Sequence, residues 1–157
     1  MLLSVRRATG NDIPAILRLL VQVNMVHHNG RPDLFKGPTT KYAADELAAI
    51  LADDETPVFV GVDESGRVLG HGFCVLQHSG GRLMAEHDTL YIDDICVDES
   101  ARGLGAGRAV YDHIVEYARQ RGCYNVTLNV WTCNPGAMRF YEKLGMKPYR
   151  VGMETIL

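Results

Sequence analysis

No stretch of the chain approaches the roughly 20 apolar residues that a helix needs to cross a bilayer, and no basic, apolar leader stands ahead of the first patterned segment. Cysteine pairing is missing as well. Cys74, Cys96, Cys123 and Cys133 stand far apart, with no Cys-x-x-Cys spacing, in apolar or strand-like surroundings. They read as reduced, buried thiols, and the expectation is a cytoplasmic protein that engages no membrane. An excess of basic charge is lacking too: 16 Lys and Arg face 19 Asp and Glu, a net charge of −3. No global field therefore gathers nucleic acid, and an anionic ligand has to be held locally. Metal-ligand spacing is also absent. His27 and His28 are adjacent, while His71, His78, His87 and His113 form no i,i+4 pair and no Cys/His cluster, so no metal is assigned. With no repeat, low-complexity tract or linker, the 46% hydrophobic residues over 157 positions suit a single domain, residues 1–157, with enough apolar material for a core.

What is present is a succession of element signals. Residues 3–8 read as a strand. The run "TGNDIPAILRLLVQVNMV" reads as a helix, with Thr9 or Asn11 as cap and Ile13, Ile16, Leu17, Leu20 and Val23 at helical spacing. "HHNGRPDLFKGPTT" is rich in Gly and Pro and has no period, which makes it a loop before a second helix near residues 40–52. "PVFVGVDESGRVLGHGFCVLQH" holds two apolar runs around a polar, Gly-containing turn, the mark of a hairpin over 57–78. Residues 89–97 form a further strand. Ala106, Val110, Ile114, Tyr117 and Ala118 lie on one face of a helix over 105–121, which Gly122 closes. "YNVTLNVW" at 124–131 is a strand, and "NPGAMRFYEKLG" is a helix with Asn134 as cap, Pro135 in the first turn and Gly145 at its end. Residues 148–156 alternate weakly and suggest a final strand.

The resulting order, β-α-α-β-β-β-α-β-α-β, is that of an α/β sheet in which an antiparallel meander precedes βα units. The stretch 89–131 implies a parallel strand pair with a crossover helix, and ligands of such sheets sit where strands end and helices begin.

One such junction is unusually rich in glycine. "ARGLGAG" at 101–107 follows "LYIDDICVDES" directly and leads into a helix. Unpaired backbone N–H groups at the positive end of a helix dipole make an anion site. Gly103, Gly105 and Gly107 remove side chains that would keep a phosphate away, and Arg102 or Arg108 can add charge. Two familiar phosphate loops fail the spacing. A dinucleotide fingerprint would need glycine at 108 or 110, where Arg108 and Val110 stand, and no Gly-Lys-Ser/Thr tripeptide occurs.

The same residues match the Arg/Gln-x-x-Gly-x-Gly/Ala motif of the GNAT family of N-acetyltransferases. The chain resembles that family over most of its length, most specifically from Tyr91 to Gly145. The resemblance implies a mixed, mostly antiparallel twisted sheet flanked by helices, with a parallel βαβ crossover around the pyrophosphate loop. It implies that Arg102, Gly103, Leu104, Gly105, Ala106, Gly107 and Arg108 wrap the pyrophosphate of acetyl-CoA. It implies further that the main chain of Ile95, Cys96 and Val97 serves the pantetheine arm and acetyl carbonyl, and that Asn134 and Tyr141 contact the cofactor or face its sulfur. "YIDDICVDESARGLGAG" is also similar to the corresponding stretch of diamine (spermidine/spermine-type) acetyltransferases, where an acidic pair precedes the end of the strand.

Acetyl transfer to an amine needs the neutral amine, and deprotonating a lysine-like amine of pKa about 10.4 at pH 7 costs roughly 4.6 kcal/mol. A base, direct or through water, is therefore useful, and so is an acid for the departing thiolate. Asp93 is the first candidate base, by its alignment with the diamine branch, and Asp94 the second. In a regular strand the two point to opposite faces, so both serve one site only if the strand is bulged. An ordinary Asp near about 3.9 is a weak base, and either carboxylate could instead bind a cationic substrate. Spacing alone would pack Tyr141 with Ala137, Met138 and Leu144, whereas the resemblance makes it the general acid. Asn before Pro is a good helix cap in any case. His27 and His28 end the first helix beside the expected acceptor pocket, and Arg31, Asp33 and Phe35 line either that pocket or ordinary surface. Glu86, Asp88, Asp93 and Asp94 suggest a small cationic amine or polyamine as acceptor. A protein N-terminus or lysine, an amino acid, an aminoglycoside, or a non-catalytic acyl-CoA-binding module are the alternatives. Exposed strand edges offer a route to a homodimer.

Overall fold

A computed structural model describes residues 3–157 of the chain. It contains strand β1 (Ser4–Arg7), helices α1 (Ile13–Gly30) and α2 (Ala44–Leu51), strands β2 (Val58–Val62), β3 (Val68–Ser79) and β4 (His87–Val97), helix α3 (Ala106–Gln120), strand β5 (Asn125–Leu128) and helix α4 (Pro135–Lys143). The five strands lie in sequence order in one sheet. Every pairing is antiparallel except β4 with β5, which α3 joins as the crossover.

The sheet is buried on both faces by helices, and the apolar periods explain which helix takes which face. On α1, Ile16, Leu19 and Leu20 are sealed from solvent and pack with Leu47 of α2 against Val58, Val60, Phe73 and Cys96. Each such side chain contributes about 1.5–3 kcal/mol by leaving water. On the opposite face Val110, Ile114 and Ala118 of α3 cover Phe59, Cys74, Leu90 and Ile92. Gly72 lets α3 approach closely there, since a Cβ would sit 2.6 Å from Ile114 Cδ1 and force that side chain to shift. The start of α1 is tied to β1 by Asp12, whose carboxylate accepts both guanidinium nitrogens of Arg6, at 2.8 and 2.9 Å, and the Thr9 backbone N–H at 2.8 Å.

Two irregularities set the geometry of the C-terminal half of β4. Its register against β3 runs Cys74↔Ile92 and then Phe73↔Asp94, so Asp93 is an extra, bulged residue. Its pairing with β5 runs only from Thr89↔Asn125 to Ile92↔Leu128. Past Ile92 the two parallel strands part, and alternate main-chain groups of residues 93–97 face a side that β5 has left.

The expected strand over 148–156 is not formed. Residues 146–157 have no regular secondary structure, and among the described residues none from 147 onward makes a backbone-to-backbone hydrogen bond. A strand needs a neighbour to pair with, and this segment has none in its own chain. All four cysteines are free, with Cys74 and Cys96 buried. No helix among the described residues is long and apolar enough to cross a membrane.

Candidate active site

The glycine turn is built at the exit of β4. Asp98 caps the single turn Glu99–Ala101, accepting Ser100 N–H at 2.9 Å and Ser100 Oγ–H at 2.8 Å, and pairs with Arg18 of α1. The Ser100 hydroxyl, with Arg18 adding to it, pulls the Asp98 carboxyl down to about 2. Gly103 and Gly105 follow in the left-handed region, with φ of 78° and 86°. A Cβ at either would meet nothing within 4 Å, so these glycines serve backbone conformation beside open space.

Gly105 is the cap of α3, and the first N–H groups of that helix, from Ala106 onward, have no intrahelical acceptor. The side chain of Ala106 is buried with Ala101 and Leu69, which anchors the turn. Gly107 has a packing role: a Cβ there would lie 3.1 Å from Phe140 and 3.2 Å from Val97. Arg102 and Leu104 are exposed, and Arg108 leans toward Asp112, at 3.5 Å. The donor set, free N–H groups at the positive end of a 15-residue helix, fits a pyrophosphate.

Upstream, the bulge turns Asp93 and Asp94 toward the same face, the one that α1 and α2 cover. Asp93 Oδ2 accepts Lys41 Nζ–H at 2.6 Å and Tyr42 O–H at 2.9 Å. Burial works against the Lys41 ammonium, but Asp93 holds its pKa above the ordinary value. Asp94 instead meets His71, a fully buried residue of β3 whose Nε2 lies 2.7 Å from Asp94 Oδ2. The other ring nitrogen, Nδ1, is buried without a protein partner. This arrangement fits the tautomer that carries its proton on Nε2 and donates it to the carboxylate.

Tyr141, on α4, is 9% exposed. Burial first, then the nearby Asp94 and Cys96, raise its phenol above the ordinary tyrosine value, so it stays protonated at neutral pH. Cys96 turns its side chain into the α1 face, where Sγ–H donates to Leu19 O at 3.4 Å, and burial pushes the thiol up to about 12. Ile95 and Val97 pack on other neighbours, so for all three the main chain alone faces the gap beside β5. Asn134 Oδ1 accepts Ala137 N–H at 3.2 Å and thus caps α4, which begins at Pro135.

The end of α1 divides its two histidines. His27 stacks toward Phe35, which meets Trp131 edge-on. Burial lowers the His27 pKa, while Asp94 acts in the opposite direction. His28 faces the loop instead, its Nδ1 lying 2.7 Å from Phe35 O.

The four carboxylates expected to form one acidic pocket do not gather. Glu86 and Asp88 both bind His78, at 2.7 and 2.6 Å, at the far end of β4. Asp88 and Asp94 lie six positions apart along the strand, about 20 Å at about 3.3 Å per residue. Three residues of the site, Lys41, Tyr42 and His71, belong to no sequence motif and are brought there by the fold. Among the described residues, no three His, Cys, Asp or Glu side chains are grouped to hold a metal ion.

Comparison with known proteins bears on this geometry. The model of the acetyltransferase (GNAT) family matches residues 24–146. Glucosamine 6-phosphate N-acetyltransferase 1 of Oryza sativa subsp. japonica is 36% identical over 110 residues, which are 69% of this chain and 62% of that protein. Glucosamine 6-phosphate N-acetyltransferase of Trypanosoma brucei brucei is 34% identical over 96 residues, 59% of this chain and 60% of that protein. The match thus spans about three fifths of the length of these curated relatives. Among solved structures, a tetramutant of the BH1408 protein from Bacillus halodurans superposes with a TM-score of 0.94 at 31% identity, over 98% of this chain and 99% of that one.

Proposed function

The chain belongs to the GNAT family of acetyltransferases, and we propose that it moves an acetyl group from acetyl-CoA to a primary amine by direct transfer in a ternary complex. The observation that carries this reading is the parting of β4 from β5 after Ile92, immediately upstream of the glycine turn. Unpaired main chain, a bulged carboxylate pair and a helix N-terminus thereby follow one another along a single path.

Acetyl-CoA supplies the thioester. The turn from Arg102 to Arg108 holds its pyrophosphate, chiefly by backbone N–H groups, and the main chain of Ile95 to Val97 takes the pantetheine arm. Asp94, directly or through a water, accepts the proton that the ammonium must lose. The amine nitrogen then bonds to the acetyl carbon, the carbon–sulfur bond breaks, and Tyr141 gives its proton to the departing thiolate. The His71 hydrogen bond keeps Asp94 oriented. Asp93, held by Lys41 and Tyr42, braces the acceptor wall, which makes Asp94 the better-supported base of the two. A Cys96 acyl intermediate is disfavoured, because a thiol at about 12 is protonated throughout the neutral range.

Two acceptor classes carry support. A small cationic amine or polyamine would find the Asp94 carboxylate in the site. An amino sugar is favoured by the relatives from rice and trypanosome, and by the Lys41–Asp93 pair, which neutralises one of the two charges a polyamine would use. The balance tips toward an amine carrying a single positive charge.

The test is acetyl-CoA-dependent thiol release with spermidine, glucosamine 6-phosphate, amino acids, an aminoglycoside and lysine peptides as acceptors, beside calorimetric titration of acetyl-CoA. Binding with release on one amine class is expected. Tight binding with no release on any acceptor would favour the non-catalytic acyl-CoA module, and absence of binding would overturn the reading of the glycine turn.

A further inference from the structure

We propose that Trp131, Phe35 and His27 form an aromatic wall that seats the body of the acceptor, and that this wall selects an amine of single charge carried on a ring with an apolar face. The inference rests on the acetyl-transfer reading above and names the acceptor of that same site. Trp131 is the sole tryptophan of the chain, and it is 43% exposed. It stands three positions past Leu128, the last residue of β5, and so beyond the point where β5 leaves β4. The indole belongs to the strand that departs, and Asp94 to the strand that stays.

Two ring contacts bring the indole back toward that carboxylate. Phe35 meets Trp131 edge-on with 5.1 Å between ring centres, and meets His27 at 5.0 Å. His27 in turn is near enough to Asp94 and Lys41 for both charges to act on its ring. The three rings therefore run in a row from the proposed base outward. The row is also held in place from both of its ends. Gly30 of α1 packs so closely on the turn after Trp131 that a Cβ there would lie 2.7 Å from Cys133 Sγ, and Asn134 N–H closes that turn on Trp131 O at 2.9 Å. Phe35 N–H donates to Arg31 O at 3.0 Å, the Phe35 carbonyl lies 2.7 Å from His28 Nδ1, and Asn24 donates to the carbonyls of Lys36 and Gly37 at 3.2 and 3.0 Å. Rings fixed in this way lose little freedom when a ligand arrives.

The charges nearby decide which ligand suits the wall. Arg31 engages Asp33, at 2.9 and 2.8 Å, and Glu154, at 2.6 Å, while Lys41 engages Asp93. The second ammonium of a polyamine would have to displace one of these pairs, whereas Asp94 serves a single amine. The negative face of an aromatic ring attracts the C–H edge of another ring, so an amino sugar and an arylalkylamine offer the wall the same chemistry. Within the loop between α1 and α2, Phe35 then serves the acceptor, and Arg31 and Asp33 hold the loop.

The test reads binding and turnover separately. Emission of the sole tryptophan is followed while wild type, with CoA bound, is titrated with glucosamine, glucosamine 6-phosphate, phenylethylamine and spermidine; thiol release is then measured with acetyl-CoA. The expected result is an emission change with a ring-bodied amine at lower concentration than with spermidine, and glucosamine against phenylethylamine tells the sugar from the aryl source. Trp131→Ala is expected to raise the acceptor KM about tenfold with kcat and calorimetric acetyl-CoA affinity unchanged, and Trp131→Phe to recover most of the loss. The side chain is exposed, so the fold is retained, which circular dichroism checks. Emission that responds to no ring-bodied amine, or most strongly to spermidine, would overturn the wall whether or not thiol is released. So would an acceptor KM that moves less than about twofold in Trp131→Ala, including the case in which only the sedimentation of the protein changes and the indole is a contact between copies. An emission change with no thiol release on any amine would leave the wall standing and remove the acetyl-transfer reading instead.

Discussion

At the scale of single residues, one carboxylate is engaged and its neighbour is poised. Asp93 spends an oxygen on Lys41 and Tyr42, while Asp94 receives one hydrogen bond from a buried imidazole and lies near the Tyr141 phenol. Asp94→Asn and Tyr141→Phe are each expected to lower kcat, Asp94→Asn by about 10²-fold or more, with little change in acetyl-CoA binding. Asp93→Asn is expected to act mainly on the acceptor KM. Steady-state kinetics against acceptor and donor separate these effects, and a change below about threefold in kcat for both Asp94→Asn and Tyr141→Phe would remove the proposed acid and base. Because the Tyr141 phenol is raised, it stays protonated well past neutrality, and no alkaline fall in rate from it is expected below about pH 10.

At the scale of elements, the glycine turn depends on backbone geometry and on what anchors it. Gly105→Ala puts a side chain at φ 86°, which costs about 1–2 kcal/mol; the turn should distort and calorimetric affinity for acetyl-CoA fall. Asp98 ties the same turn to α1. Its folded carboxyl lies at about 2, below an ordinary Asp near about 3.9. The unfolded chain therefore binds the proton more readily. The stabilisation is complete above about pH 4 and is lost as pH falls toward about 2. Asp98→Asn should lower stability at neutral pH and flatten the acid-unfolding curve over that window, as circular dichroism would record.

At the scale of the whole molecule, β4 does two jobs through its two edges. Along β3 it is paired from end to end, and along β5 it is paired only as far as Ile92, so a rigid sheet carries a gap between its last two strands. That rigidity comes from the layers on either face. Leu19 of α1 is fully buried against the sheet, and Leu19→Ala should cost about 2–5 kcal/mol in denaturant unfolding. Much of this architecture was legible locally. The α3 stripe, the Asn134 cap and the glycine turn are short-range patterns in which each residue's neighbours in sequence are its neighbours in space. Boundaries were less so: the strand read over 124–131 stops at Leu128, where β5 loses its partner. The acidic pocket read from Glu86 to Asp94 failed because a strand spreads along its length residues that look adjacent in sequence.

By itself the sequence determined the order of the elements as far as α4, the family likeness and the place of the glycine turn, because helical and strand periods, caps and positive-φ glycines are local properties of the chain. Its weak alternation over residues 148–156 also suggested a final strand, which the fold does not form. Only the tertiary structure decided which face each aspartate of the 93–94 pair takes, since that rests on one extra residue in the pairing of β4 with β3. Only the fold brought Lys41, Tyr42 and His71 to those carboxylates, across separations of 52, 51 and 23 positions. The same cause left the last segment unpaired: a strand's pattern is local, whereas an edge to pair with is a property of the fold, and none receives this segment in the single chain.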